Sequence, residues 1–218
     1  MKLRTCSIVC MTLLALFGAQ LLAVASPAPA TDKNSVLIDK FVFCKDTGNS
    51  VANDANGGDP AILHNTNWVS PGYKGAQSAI HLDGKTSYVT LTPALTPSKA
   101  ISIKAVIRPT GTGGMIFGDV GGLIFKVQDD AHILSMRVSN GQWPSLESTD
   151  AVPLGEWSEV ECQWDGATMS LFINGKLSGQ APAGAGFNSG PRGLGCNLFN
   201  MGEFYTGDIA SFELREMK

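Results

Sequence analysis

Alternate carboxylates on a strand are the first residues in this chain able to do chemistry. Glu159 and Glu161 are two apart, which in extended backbone puts both on one face. General acid/base work needs a buried, tuned pair. Here position 163 is Gln, no third carboxylate follows, and the face reads as solvent-exposed, so no catalytic role is expected. The three histidines, His64, His81 and His132, stand without a nucleophile-elbow pattern, and surface or packing roles are expected for them. The Gly-rich stretches lack the lysine and helix of a phosphate loop. Aromatic residues in turn-rich loops are a different resource, since a ring face stacks on a sugar while nearby amides take its hydroxyls. SNGQWPSLEST offers Trp143 with Asn140 and Gln142, and NMGEFYTGD offers Tyr205 with Asn200 and Glu203. These are the candidate ligand-binding residues, Trp143 being the best exposed aromatic. Asp54, Asn56 and Asp59 read as a solvated Asx turn rather than an ion site.

The element that organises the chain is GEWSEVECQWDGATMSLFINGK, residues 155–176. Two β-forming runs flank Asp165-Gly166, a strong hairpin signal because both turn residues tolerate positive φ. A two-residue loop predicts Trp164 opposite Ala167, Cys162 opposite Met169, Val160 opposite Leu171 and Ser158 opposite Ile173. That face is almost wholly apolar, and the other, with Glu159, Glu161 and Gln163, is mostly wet. This is the pattern of an antiparallel sheet covering one side of a core.

Further strands are expected at 36–43, 61–63, 68–69, on both sides of Asp83-Gly84 within 78–91, and at 101–107, 115–117, 123–127, 133–138 and 209–214. Turn-rich loops separate them, the longest at 49–60 and 180–195. No window outside the N-terminus has helical period, and there is no internal repeat. Ten or more short strands predict one all-β domain, a two-sheet antiparallel jelly-roll β-sandwich.

Residues 1–25 combine Lys2 and Arg4, an apolar run from Ile8 to Val24, and small residues at the end, which reads as a secretory signal peptide. Cleavage is expected after Ala25 or Ala30. A Pro-Ala-rich linker, 26–34, then leads to a domain at 35–218. A membrane anchor is the alternative reading. The cysteines at 6 and 10 lack the small residues that precede a lipid-modified cysteine. Without the leader, 14 Lys+Arg face 19 Asp+Glu, a net charge near −5 that argues against nucleic acid or anionic membrane as partner. About 190 residues suffice for one core without disulfide support. Localisation is expected to be secreted or periplasmic. In that oxidising setting Cys44 and Cys196 are expected to pair, and Cys162 to pack as a buried free thiol.

The order of these motifs resembles the laminin-G-like jelly-roll family of the concanavalin A-like lectin/glucanase superfamily. The resemblance runs from about Val36 to Arg215 through FVFCKDTGN, NDANGG, AIHLDGKTSYVTL, ISIKAVIRPT, the 155–176 hairpin and TGDIASFELRE. It implies the sandwich fold, and core positions for Trp157, Trp164 and Trp68. Many relatives hold a structural calcium with acidic residues where this chain has Cys44 and Ala210. Neither supplies an oxygen ligand, so that site is expected to be lost and no cofactor is assigned. The glucanases of this fold carry two glutamates and an aspartate on alternate residues, a run missing here. What the resemblance implies is an exported, non-catalytic binding module, most simply for carbohydrate, with protein interaction or adhesion as the alternative.

Overall fold

The computed structural model describes residues 35–44, 48–55, 57–95, 100–128, 131–139, 142–184 and 189–218. The expected leader and linker lie outside these residues, as does Asn56 of the expected Asx turn. The strands in chain order are β1 (Ser35–Val42), β2 (Ser50–Val51), β3 (Ala61–His64), β4 (Asn67–Val69), β5 (Ala79–Asp83), β6 (Tyr88–Leu91), β7 (Ile101–Pro109) and β8 (Gly114–Asp119). They continue with β9 (Leu123–Val127), β10 (Ile133–Val138), β11 (Ser145–Ala151), β12 (Ser158–Trp164), β13 (Thr168–Ile173), β14 (Lys176–Pro182), β15 (Arg192–Leu194) and β16 (Thr206–Met217).

All pairings among them are antiparallel and form two sheets. The first runs β14-β13-β12-β7-β16-β5-β4, with β1 also on β16; the second runs β11-β10-β9-β8-β15-β6-β3-β2. The core lies between, built from alternate residues of both, among them Phe41, Ile103, Phe117, Phe125, Trp164, Leu171 and Phe212. The jelly-roll sandwich expected from strand spacing is the observed fold. The Asp83-Gly84 turn carries the chain from one sheet to the other. There the Asp83 carboxylate accepts the N–H groups of Lys85, Thr86 and Ser87, and these bonds hold it well below the usual carboxylate range.

The hairpin is real but its register differs from the expected one. Trp164 faces Met169, Cys162 faces Leu171 and Val160 faces Ile173. The Asp165 side chain causes this: Oδ1 accepts the N–H of Ala167 at 2.9 Å and of Thr168 at 2.7 Å, closing a longer loop. A shift of two preserves parity, so the apolar set still faces the core.

Several segments read as loop are strands. β11 pairs with β10, β15 lies between β8 and β6 inside the expected 180–195 loop, and the last strand extends from 206 to 217. The two sheet edges also meet, with Thr149 Oγ1 donating to Ser178 O at 3.1 Å and Asp150 N–H to Ser178 Oγ at 3.0 Å. At one end of the sandwich the buried Arg192–Asp39 ion pair is completed by Asn53 Nδ2, which donates to Asp39 at 2.8 Å.

Trp164 is wholly buried and Trp68 packs partly buried against the core. Trp157 departs from the expectation. It packs on the outer side of the first sheet over Ala79, Val106 and Ala210, beside Tyr73 and under the Arg108 guanidinium.

The expected Cys44–Cys196 disulfide is absent: both are free thiols, as is Cys162. Cys44 follows β1 in the first sheet and Cys196 follows β15 in the second, where it is fully buried. Burial pushes the Cys196 thiol up to about 11 and the Cys162 thiol well above its usual value.

Candidate functional site

The outward residues of the second sheet and the segment connecting β15 to β16 together make a cleft of about 260 Å³. Its floor is Gly118 of β8 and Ile124 of β9, which are paired across the ladder, together with Met115. Gly118 matters because it has no side chain: a Cβ there would already touch the Met115 sulfur at 3.4 Å, and anything larger would rise into the cleft. Trp143 lines it from the β10–β11 loop, and Leu198 and Phe199 line it from the connection that follows β15. Trp143 is 47% exposed and Phe199 80%. Both aromatics are thus held out to solvent at a concave surface instead of closing the core. Asn197 is the half-exposed polar side chain of the lining, and Asp119, also in the lining, is buried.

Long-range contacts hold the 197–203 segment in place. Asn197 and Gly202 form a β-bridge, and the N–H of Met115 donates to Glu203 O at 2.8 Å. The Glu203 carboxylate takes Lys126 Nζ at 2.8 Å and Asn197 Nδ2 at 3.1 Å. Burial alone would raise the Glu203 carboxyl, but Lys126, Asn197 and Arg137 overcome that and hold it below its ordinary value. Asp119 behaves oppositely. Burial drives its carboxyl up to about 6, although Gly190 N–H (2.9 Å), Ser189 and the Arg192 charge pull the other way.

Of the residues singled out from the sequence, Trp143 lines the cleft. Gln142 is its exposed chain neighbour and Asn200 the exposed neighbour of Phe199, and neither lines the cleft. Asn140 lies outside the described residues. Tyr205 is a correction: it is fully buried in the core and exposes no stacking face. The space for its ring comes from Gly207, where a Cβ would stand 2.7 Å from the Tyr205 hydroxyl oxygen. Phe199, Asn197, Asp119 and Gly118 were missed. The one sequence signal was a phenylalanine set among asparagines in NLFNMG.

The groups considered for catalysis have other work. Glu161 is buried, not exposed as expected, and accepts from Ser102 Oγ at 2.8 Å and Gln163 Nε2 at 2.7 Å. Lys104 Nζ lies 3.4 Å from Glu161 and 3.3 Å from Glu159, so one ammonium bridges both. His81 Nδ1 contacts Asp208 at 2.8 Å, and Arg108 Nε donates to the same carboxylate at 2.7 Å, tying β5, β16 and β7. His64 Nε2 meets Thr90 Oγ1 and His132 Nε2 meets Gly111 O.

Of the two positions that would carry the calcium ligands of relatives, Ala210 accepts through its carbonyl the N–H of Phe43, the residue before Cys44, at 2.9 Å. Neither Cys44 nor Ala210 offers an oxygen side chain, so these residues do not fit that ion. Among the described residues no three His, Cys, Asp or Glu gather to hold a metal, and no helix is long and apolar enough to cross a membrane.

Residues 83–215 match the family model of the concanavalin A-like lectin/glucanases superfamily, in its laminin-G form, and the chain belongs to that family. No curated protein sequence matches it. Among solved structures, domain 4 of AbnA, a GH43 extracellular arabinanase from Geobacillus stearothermophilus, in complex with arabinotriose, aligns with a TM-score of 0.67 at 16% identity, covering 85% of this chain and 94% of that one. The binding domain of botulinum neurotoxin DC in complex with SialylT aligns at 0.58 and 13% identity, covering 83% and 48%. Domains LG4-5 of the mouse laminin alpha1 chain align at 0.52 and 15% identity, covering 67% and 43%. At these identities the likeness is one of fold.

Proposed function

We propose that the chain is an exported, non-catalytic carbohydrate-binding module whose ligand sits in the cleft between Trp143 and Phe199. The observation that carries this reading is the pair of exposed aromatics at a glycine-floored concavity. A sugar ring presents an apolar C–H face to such residues and its hydroxyls to Asn197. At 260 Å³ the cleft is smaller than the roughly 300–1,000 Å³ typical of drug-sized ligands, which suits a single ring with the rest of the molecule outside. The arabinotriose held by a domain of the same fold supports the reading by analogy.

The alternative is a protein partner that inserts a side chain into the cleft. Met201, 47% exposed and two residues after Phe199 in the chain, favours it as a second large apolar side chain held out to solvent on the same segment. A glycan array of the exported protein, with and without calcium, separates the two. Binding to one sugar class, lost in Trp143→Ala and in the cleft-filling Gly118→Leu, is the expected result. Folded protein that binds no glycan, or binds equally in both variants, overturns the proposal.

A further inference from the structure

We infer that the cleft is one end of a longer binding face, and that the ligand is a linear oligosaccharide lying across the strands of the second sheet, with a second stacking bay at His64 and Tyr88. This deepens the carbohydrate reading and rests on it.

The register shows one transverse row. Arg137 pairs with Ile124, Ile124 with Gly118, Gly118 with Gly193, Gly193 with Thr90, and Thr90 with Ile62. Side chains alternate along strands, and Met136, Val138, Leu123, Phe125, Phe117, Leu194, Val89, Leu91, Ala61 and Leu63, which flank the row, belong to the core, so the row points outward. Successive strands stand about 4.8 Å apart, so Gly118 and Ile62 are separated by about 14 Å, more than one ring of a sugar can span.

Beyond the cleft the row meets a second cluster with similar chemistry. The His64 ring stacks on Tyr88 at 4.3 Å and 10°, and its Nε2 meets Thr90 Oγ1 at 2.9 Å. Ile62 stands exposed beside them. Neither ring belongs to the core between the sheets, so their packing does not explain their presence on this face. Gly118 and Gly193 raise no side chains, and Leu198 fills the place above Gly193, where a Cβ would meet it at 3.0 Å. The track is therefore apolar through Ile124, Leu198 and Ile62. At the cleft end of the row stands Arg137, paired with Ile124, and its buried Nε has no partner among the described residues. Apolar contacts recurring along a line, with donors at intervals, suit a chain of repeating rings better than one compact ligand.

Calorimetric titration with ladders of arabino-, xylo-, cello- and malto-oligosaccharides, each from monosaccharide to hexasaccharide, tests this on wild type, Tyr88→Ala and Thr90→Val. For the series that binds, affinity is expected to climb about tenfold or more from disaccharide to the longest member, one extra ring contact being worth up to about 1.5 kcal/mol. Tyr88→Ala should remove that climb and keep the disaccharide affinity. Thr90→Val, a milder change, should reduce the climb if Tyr88→Ala proves unfolded by circular dichroism. A disaccharide that already binds at full affinity, or folded variants that match wild type at every length, overturns the extended face and leaves the cleft reading intact. Wild type that binds no member of any ladder overturns both.

Discussion

Replacing Asp119 by Asn should convert a pH-dependent stability into a flat one. Asp119 ends β8, is 2% exposed, and has its carboxyl raised from the ordinary 3.8 to about 6, chiefly by burial. The fold therefore favours the protonated form. Stability linked to this group is fully present below pH 4, declines between pH 4 and 6, and is gone above. At 1.36 kcal/mol for each pH unit between the two values, the loss is at most about 3 kcal/mol. Protein interiors screen charge more strongly than a dry medium would, which brings the expected loss to about 2 kcal/mol. The Asp119→Asn amide keeps an acceptor for the N–H of Gly190 and carries no charge at any pH. The other shifted carboxyls, Asp83 and Glu203, are lowered and titrate alike in both proteins, so they cancel in the difference. Urea unfolding followed by tryptophan fluorescence, with Trp164 as the buried reporter, gives that difference at each pH. The variant should gain about 2 kcal/mol on wild type between pH 4 and pH 7.5. A difference that stays constant with pH, or shrinks as pH rises, would refute the claim that burial dominates at Asp119.

Two further outcomes are expected. Tyr205→Phe removes a buried hydroxyl that has no partner among the described residues. Stability should hold or rise by about 1 kcal/mol, with ligand binding unchanged, and a loss beyond about 1 kcal/mol in denaturant melts would show that the hydroxyl is bonded. Under maleimide labelling of native protein, Cys44 should react first, while the buried Cys162 and Cys196, their thiols raised by burial, wait for denaturant. A cross-linked Cys44–Cys196 peptide in a non-reducing digest would contradict the free-thiol arrangement.

What was legible in the sequence was parity. The alternation through 158–173 placed Val160, Cys162 and Trp164 on the core side, and they remained there although the turn is longer than Asp-Gly alone suggests. Burial within a face was harder to see. Glu161 looked wet because period 2 puts it on the outer side, yet Ser102, Lys104 and Gln163 close over it. β15 was invisible for a related reason. Arg-Gly-Leu has no apolar run, and it is a strand because β8 and β6 flank it.

Tyr205 and Phe199 show where local reasoning ends. Both are aromatics in one Gly- and Asn-rich stretch, and nothing in their immediate neighbours separates them. Tyr205 turns inward because Gly207 clears space for its ring, a contact two residues away that acts only once β16 is paired. Phe199 stays outward because Met115, Lys126 and Asn197 fix Glu203 and Gly202, laying the segment on the second sheet. Trp143 could be picked out alone, flanked by turn residues and proline. Its partner could not, because a cleft is made by which loop folds over which sheet face. Residue period reports the face and leaves the loop unassigned, so half of a two-sided site is the most that pattern alone can show.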